Sequence, residues 1–184
     1  MNFTDLELVE GSLKGIESFQ RLLYDKYNKR MLGICMRYSR QTMEAEDVMV
    51  QTFAKVFSQL HTYRGGQFEA WLKRIFVRES INHYHKNKKQ TWYNSQEPDY
   101  EIPSVETNEI LSMLGVEEIM KLVNALPDGA RLIFNLYAIE GYTHQEIGAM
   151  LNISDGTSKS QYSRAKELLR SQLESKYEWK KEVF

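Results

Sequence analysis

Between residues 61 and 92 the sequence sets the rings Tyr63, Phe68, Trp71, Tyr84 and Trp92 among the cations Arg64, Lys73, Arg74, Arg78, Lys86, Lys88 and Lys89. Rings on which unstacked bases can lie, beside charges that hold a phosphate backbone, make a chemistry suited to single-stranded nucleic acid. Over 61–89 those seven cations meet only Glu69 and Glu79, a local excess of 7 − 2 = +5. Phe68 and Trp71 also fall on an apolar helical face, where a ring is first of all core. Tyr63 and the adjacent Gly65-Gly66 are therefore the stronger candidates for base contact.

A second group, Lys159, Ser160, Gln161, Ser163, Arg164 and Lys166, borders a helical pattern whose apolar face is Tyr162, Ala165, Leu168, Leu169 and Leu173. Alone, it describes the solvated side of an amphipathic helix. What precedes it changes the reading. Thr143-His144-Gln145-Glu146 is a capping box, in which hydroxyl and carboxylate each satisfy a free backbone donor at a helix start. A short helix through Ile147, Met150 and Leu151 follows, then Asn152, a residue that tolerates a left-handed backbone, and Ser154, a natural cap for the next helix. A short helix, a tight turn and a longer helix with a basic outer face make a helix-turn-helix. Its second helix enters the major groove, where Arg, Lys and Gln bond base edges and Ser bonds phosphate.

The elements that must position these groups are helical. Ile16, Phe19, Leu22, Leu23, Tyr27, Met31, Ile34, Cys35 and Tyr38 mark one amphipathic helix; Ala45, Val48, Met49, Phe53, Val56, Phe57 and Leu60 mark a second. Glu44, Glu46 and Asp47 crowd the second helix's first turn, where the helix dipole favours negative charge. After Gly65-Gly66 a third helix carries Phe68, Trp71, Leu72, Ile75, Phe76 and Ile81 into the cationic run 83–89, and these three helices are expected to form one bundle. Residues 90–115 hold Pro98 and Pro103, no Lys or Arg, and the acids Glu97, Asp99, Glu101, Glu106 and Glu109, which reads as a flexible acidic linker. A helix starting at Val116, Ile119, Met120 and Val123, and another over 128–140 stopped by Gly141, lead into the helix-turn-helix. The expected architecture is all-α: two small helical domains, 1–89 and 116–184, joined by residues 90–115.

Other chemistries find little support. His83 and His85 lie two apart on a helix and point to different faces, with no Cys pair beside them, so no metal site is expected. Gly65-Gly66 lacks the Lys-Ser/Thr of a phosphate-binding loop, and the acids at 44–47 are a helix start before they are a catalytic set, so neither a cofactor nor an enzymatic activity is expected. With 42% apolar and 27% charged residues the chain is globular rather than disordered. The N-terminus lacks the basic-then-apolar order of a signal peptide and no apolar run is long enough to span a bilayer, so a cytoplasmic protein is expected. The one cysteine, Cys35, sits on an apolar face as a core thiol. A net charge of −1 makes tight unaided DNA binding unexpected.

Taken in order, these blocks resemble the extracytoplasmic-function (ECF) group of the sigma-70 family over nearly the whole chain. Residues 45–57 (Ala-Glu-Asp through Phe-Ala-Lys-Val-Phe) are similar to the family's region 2.2, and residues 63–75 (Tyr-Arg-Gly-Gly-Gln-Phe-Glu-Ala-Trp-Leu-Lys-Arg-Ile) to regions 2.3 and 2.4. Leu126-Pro127, residues 141–147, 153–157 and Arg164-Ala165-Lys166 resemble region 4. The resemblance implies a promoter-specificity factor that docks on the β′ clamp helices and β flap of core RNA polymerase and is held in check by an anti-sigma factor. It implies polymerase contacts at Glu46, Asp47, Gln51 and Lys55, and minus-10 contacts at Tyr63, Arg64, Gly65, Gln67, Phe68, Lys73, Arg74 and Arg78. Minus-35 contacts are implied at Thr157, Lys159, Ser160, Gln161, Ser163, Arg164 and Lys166. Four positions depart from the family pattern: Val50 stands for a usual Gln, Gln51 for an acid, Arg78 for a common Asn, and Ser158 for a usual Val. Ser158 should face the apolar side of its helix, which costs packing unless its hydroxyl bonds back to the helix. The alternative reading is a stand-alone helix-turn-helix regulator whose N-terminal bundle senses a signal or dimerises.

Overall fold

A computed structural model describes residues 3–91 and 116–177; the expected linker, 90–115, lies outside them save for the helix end at 90–91, as do Trp92 and the side chains of Lys88 and Lys89. The chain divides into two compact units, Met1–Ser95 and Gln96–Phe184, and the described residues contain no strand.

The first unit has four helices rather than the three that apolar periodicity marks. The extra one, α1 (Asp5–Leu13), begins at a capping box in which Thr4 Oγ1 accepts from the Glu7 N–H and Glu7 Oε2 accepts from the Thr4 N–H at 2.8 Å. The hydrogen bonds from Thr4, backbone first, hold the Glu7 carboxyl below its ordinary value. Gly11 lets α1 lie close on α2 (Glu17–Tyr38), since a Cβ there would fall 2.3 Å from Phe19 Cγ. Asp5 ties the two helices again through Lys26 Nζ at 2.7 Å.

α2 packs against α1, α3 (Thr42–Gln59) and α4 (Phe68–Thr91), so its buried Leu23, Tyr27, Met31, Ile34 and Cys35 form the centre of the unit. Phe53 and Val56 of α3 and Leu72, Phe76 and Val77 of α4 close around them. Aromatic edges lock the packing: Phe53 meets Tyr24 at 4.7 Å and Phe76 at 5.0 Å between ring centroids. Burial pushes the Cys35 thiol up to about 11, which leaves it an inert core group.

The second unit contains α5 (Val116–Asn124), α6 (Asp128–Phe134), α7 (His144–Leu151) and α8 (Asp155–Tyr177). Leu122, Val123 and Leu126 pack with Ala130 and Phe134 against Ala165, Leu169 and Leu173 of α8. The helix expected over 128–140 is not uniform. It is α-helical to Phe134 and then opens into a wider π-helical turn, Asn135–Ile139, in which the Glu140 N–H bonds Asn135 O. The extra residue per turn shifts the helical phase, so that Leu136 is buried and Tyr137 faces outward beside α7 and α8.

Gly11→Ala is expected to lower the stability of the first unit by about 1–3 kcal/mol, because the added methyl meets the root of the Phe19 ring. Urea unfolding should show an earlier midpoint with unchanged slope; an unmoved midpoint would mean that Phe19 gives way without cost.

Candidate nucleic-acid interface

α3 presents a face that the bundle does not cover. Glu46, Asp47 and Gln51 are exposed there, together with Met43 and Val50, which are 70% and 56% exposed. The acidic cluster at the start of α3 splits by role. Glu44 turns inward and meets His83 Nε2 of α4 at 2.9 Å, while Glu46 and Asp47 point to solvent. Lys55, four residues beyond Gln51 and likewise exposed, is paired with Glu79 Oε1 of α4 at 2.6 Å.

A 3-10 turn, Leu60–Thr62, ends α3 and leads into the loop at 63–67. Gly65 and Gly66 take φ of 95° and 92°, a left-handed backbone that strains other residues. The loop does not hang freely. The Tyr63 hydroxyl donates to Gly66 O at 2.5 Å, and its ring packs edge-on to Phe68 at 5.3 Å and against Trp71 at 5.6 Å. Phe68 is 1% exposed, so its ring supports the loop from beneath and offers no face to a base in this conformation. Tyr63 is half-buried and acts as a brace, whereas Arg64 and Gln67 are exposed.

Beyond the loop, Arg74 and Arg78 are exposed and Lys73 is half-buried. Exposed Asn82 and Lys86 continue the spacing of four from Arg74 and Arg78, and four-residue spacing keeps side chains on one helical face. The sequence could have shown Asn82 by that spacing alone. Glu69 and Glu79, the two acids of α4, are taken up by Arg30 at 2.7 Å and Lys55 at 2.6 Å. Neither pairing was legible in sequence, because the partners are 39 and 24 residues away.

In the second unit the capping box forms: Glu146 Oε2 accepts from the Thr143 N–H at 2.8 Å and Thr143 Oγ1 from the Glu146 N–H at 3.2 Å. Asn152 takes the left-handed conformation, φ 55° and ψ 47°. Ser154 Oγ then accepts from the Thr157 N–H at 3.0 Å and caps α8. Thr157, Lys159, Ser160 and Ser163 are exposed on α8, with Lys159 Nζ held 2.8 Å from Asp155 Oδ2. Arg164 is half-buried. Gln161 and Lys166 stand on the flanks: Gln161 lies against Gly129 of α6, and Lys166 Nζ sits 5.2 Å from the Tyr162 ring centre. Burial, and secondarily the neighbouring Tyr137, raises the pKa of Tyr162. Ser158 is fully buried, as its apolar-side position implied, but its hydroxyl does not turn back on its own helix. It meets His144 Nδ1 across the motif at 2.9 Å.

The sigma-70 region 2 model matches residues 23–90 and the sigma-70 region 4 model matches residues 116–169. The chain is 26% identical to the RNA polymerase sigma-H factor of Pseudomonas aeruginosa, over 92% of this chain and 94% of that one. It is 24% identical to the ECF RNA polymerase sigma-E factor of Haemophilus influenzae, over 93% of this chain and 96% of that one. Its fold is similar to that of the sigma factor RpoE of Bartonella quintana, solved in complex with the anti-sigma factor NepR. The TM-score is 0.53 and the identity 19%, over 85% of this chain and 97% of that chain. The chain belongs to the sigma-70 family, in its ECF group, and is an RNA polymerase sigma factor directing transcription initiation rather than a stand-alone regulator.

Ser154→Ala removes the oxygen that caps α8 and is expected to destabilise the second unit by about 1 kcal/mol, with Ser154→Gly costing less. Chemical unfolding of the two variants checks this; equal stability of Ser154→Ala and the parent would show that the cap is not used.

Proposed function

We propose that residues 1–89 dock on core polymerase and capture the opened minus-10 strand, while residues 116–184 bind minus-35 duplex and residues 90–115 connect the two. The supporting observation is that exposed cationic surface is divided between the two units: Arg64, Arg74 and Arg78 on one, Lys159 with Ser160 and Ser163 on the other. A regulator that worked alone would need only one such surface. The outward face of α3, with Glu46, Asp47 and Gln51, meets the β′ clamp helices. Val50 makes that contact more apolar than a Gln would. The second unit reaches the β flap.

Strand capture falls to Arg64 and Gln67, which are exposed on a loop held in shape by Tyr63, and to Arg74 and Arg78 on the ridge behind it. Duplex reading falls to Thr157, Lys159, Ser160, Ser163 and Arg164, with Gln161 and Lys166 at the margins. With a net charge of −1, neither surface binds tightly unaided, and affinity comes from polymerase bringing both into register. Catalysis belongs to the polymerase; this chain supplies address and strand capture, and works in the cytoplasm beside its polymerase. An anti-sigma factor is its regulatory partner, as NepR is found with the Bartonella RpoE. No helix among the described residues is long and apolar enough to cross a membrane.

The test is reconstitution: the chain should co-elute with core polymerase one to one and give run-off transcripts that core alone does not. Failure to co-elute, together with tight binding to isolated duplex, contradicts the reading. Within the holoenzyme, Lys159→Ala and Arg164→Ala should each lower minus-35-dependent transcription by about 1–3 kcal/mol in free-energy terms while leaving core binding intact. Equal loss on templates without the upstream element would contradict the placement of α8.

A further inference from the structure

The hydroxyl of Ser158 is a polar group with no solvent access, on the side of α8 that continues into Tyr162 and Ala165. Its partner lies fourteen residues earlier, at the far end of α7: His144, the first residue of that helix, brings Nδ1 to 2.9 Å from Ser158 Oγ. The turn that joins the helices, 152–154, is at the opposite end of α7. The contact therefore closes a triangle, with α7 as one side, the first turn of α8 as the second and the His144–Ser158 hydrogen bond as the third.

The apex of the triangle is stiff. Ile153 N–H bonds Gly148 O at 3.1 Å, and a Cβ on Gly148 would lie 2.9 Å from Ile153 O, so α7 and the turn are already in close contact. Along its length α8 is held by the core that Ala165, Leu169 and Leu173 form with α5 and α6; at its first turn the third side adds a directional constraint on the angle at which it leaves the turn. The His144 ring is anchored in turn. It stacks on Tyr137 with centroids 4.2 Å apart and planes within 12°, and Tyr137 packs against Tyr162 of α8 at 4.6 Å. Tyr137 belongs to the π-helical turn, so the bond refers α8 to the body of the unit and not only to its neighbour in the motif.

We propose that His144 and Ser158 are positioning residues for promoter reading: their hydrogen bond sets the angle of α8 and thereby the register of Lys159, Ser160 and Ser163 on base edges and phosphates of a duplex. The proposal rests on α8 being the duplex-reading helix. Ser163 lies nine residues beyond Ser154, about 14 Å along a helix that rises 1.5 Å per residue, so a tilt of about 5° at the turn displaces it by roughly 1 Å. A displacement of about 1 Å exceeds the span of roughly 0.5 Å within which a hydrogen bond to a base edge keeps its strength. A valine at 158, making no directional bond, would leave the angle to packing alone.

The test uses the reconstituted holoenzyme and a promoter it selects from a random DNA library, transcribed beside the same promoter with its upstream element scrambled. The readout is the ratio of transcripts from the two templates. Ser158→Val, which loses the bond and adds the bulk of one methyl group, just as Ser158→Thr adds it while keeping a hydroxyl, should lower that ratio about five- to tenfold, as should His144→Ala. The double variant should fall no further than either single one, and Ser158→Thr, which keeps a hydroxyl, should retain most of the parent's ratio. Thermal unfolding of Ser158→Val within a few degrees of the parent would show that the loss is not one of folding, a distinction that Ser158→Thr draws again if the valine variant unfolds. A parental ratio in Ser158→Val, or losses that multiply in the double variant, would overturn the strut. A control separates the two ways to fail: if Lys159→Ala with Ser163→Ala also leaves the ratio unchanged, it is the assignment of α8 to duplex reading that is wrong. If that pair lowers the ratio while Ser158→Val does not, only the strut is wrong.

Discussion

The burial of the Phe68 ring is the contact on which the loop at 63–67 and the start of α4 depend. It meets Tyr27 of α2 edge-on at 5.6 Å, Tyr63 of the loop at 5.3 Å and Trp71 of its own helix at 5.5 Å, and so joins three parts of the unit at one point. Edge-to-face pairs of this kind add directional preference to the apolar burial. With the ring in place, the start of α4 is fixed against α2, and the loop before it has a floor on which Tyr63 can lie. The left-handed Gly65-Gly66 pair then lets the chain reverse tightly enough for the Tyr63 hydroxyl to reach Gly66 O. What is exposed, Arg64 and Gln67, is exposed because of that arrangement.

The second unit meets the same requirement by polar means. On the proposed reading α8 must also be held at one angle, but the contacts available near the turn are small: Gly148, Ile153 and the cap at Ser154. A single buried hydrogen bond between His144 and Ser158, with an aromatic stack behind it, does there what a cluster of rings does in the first unit. Hydrogen bonds fix angle where apolar contact fixes mainly distance. The departure of Ser158 from the family's usual valine thus acquires a physical reason once the opposite residue is known.

Much of this was legible in the sequence because the governing signals are local. The capping box at 143–146, the left-handed Asn152 and the Ser154 cap lie within twelve residues and leave the same trace in sequence as in space. The apolar periods of α2, α3 and α4 likewise give most of the core, although Ile16 and Leu22, counted in the first stripe, are exposed. α1 carried an equally local signal, Thr4-x-x-Glu7, but its short apolar stripe does not stand out by period. The π-helical turn was not legible, since nothing in Asn135–Ile139 breaks a helical pattern and only packing on both sides of the helix reveals the extra residue. Nor were the roles of side chains whose partners are distant. The sequence could mark Phe68 as a core ring and Tyr63 as a candidate for base contact, but not that Tyr27, Trp71 and Gly66 gather around them. The Lys55–Glu79 pair was equally hidden, because its members are 24 residues apart.

On the proposed reading, the braced loop at 63–68 keeps the opened strand out of the duplex. Permanganate footprinting of the holoenzyme on linear promoter DNA tests this most directly, comparing the parent with the Arg64→Ala, Gln67→Ala double variant, in which Tyr63 and Phe68 still shape the loop. Thymine reactivity around minus-10 should be lost in the variant while polymerase binding and upstream recognition persist, and a template carrying a pre-melted bubble should recover much of the transcription. If the variant opens linear DNA as well as the parent does, the loop is a connector and the strand is held elsewhere.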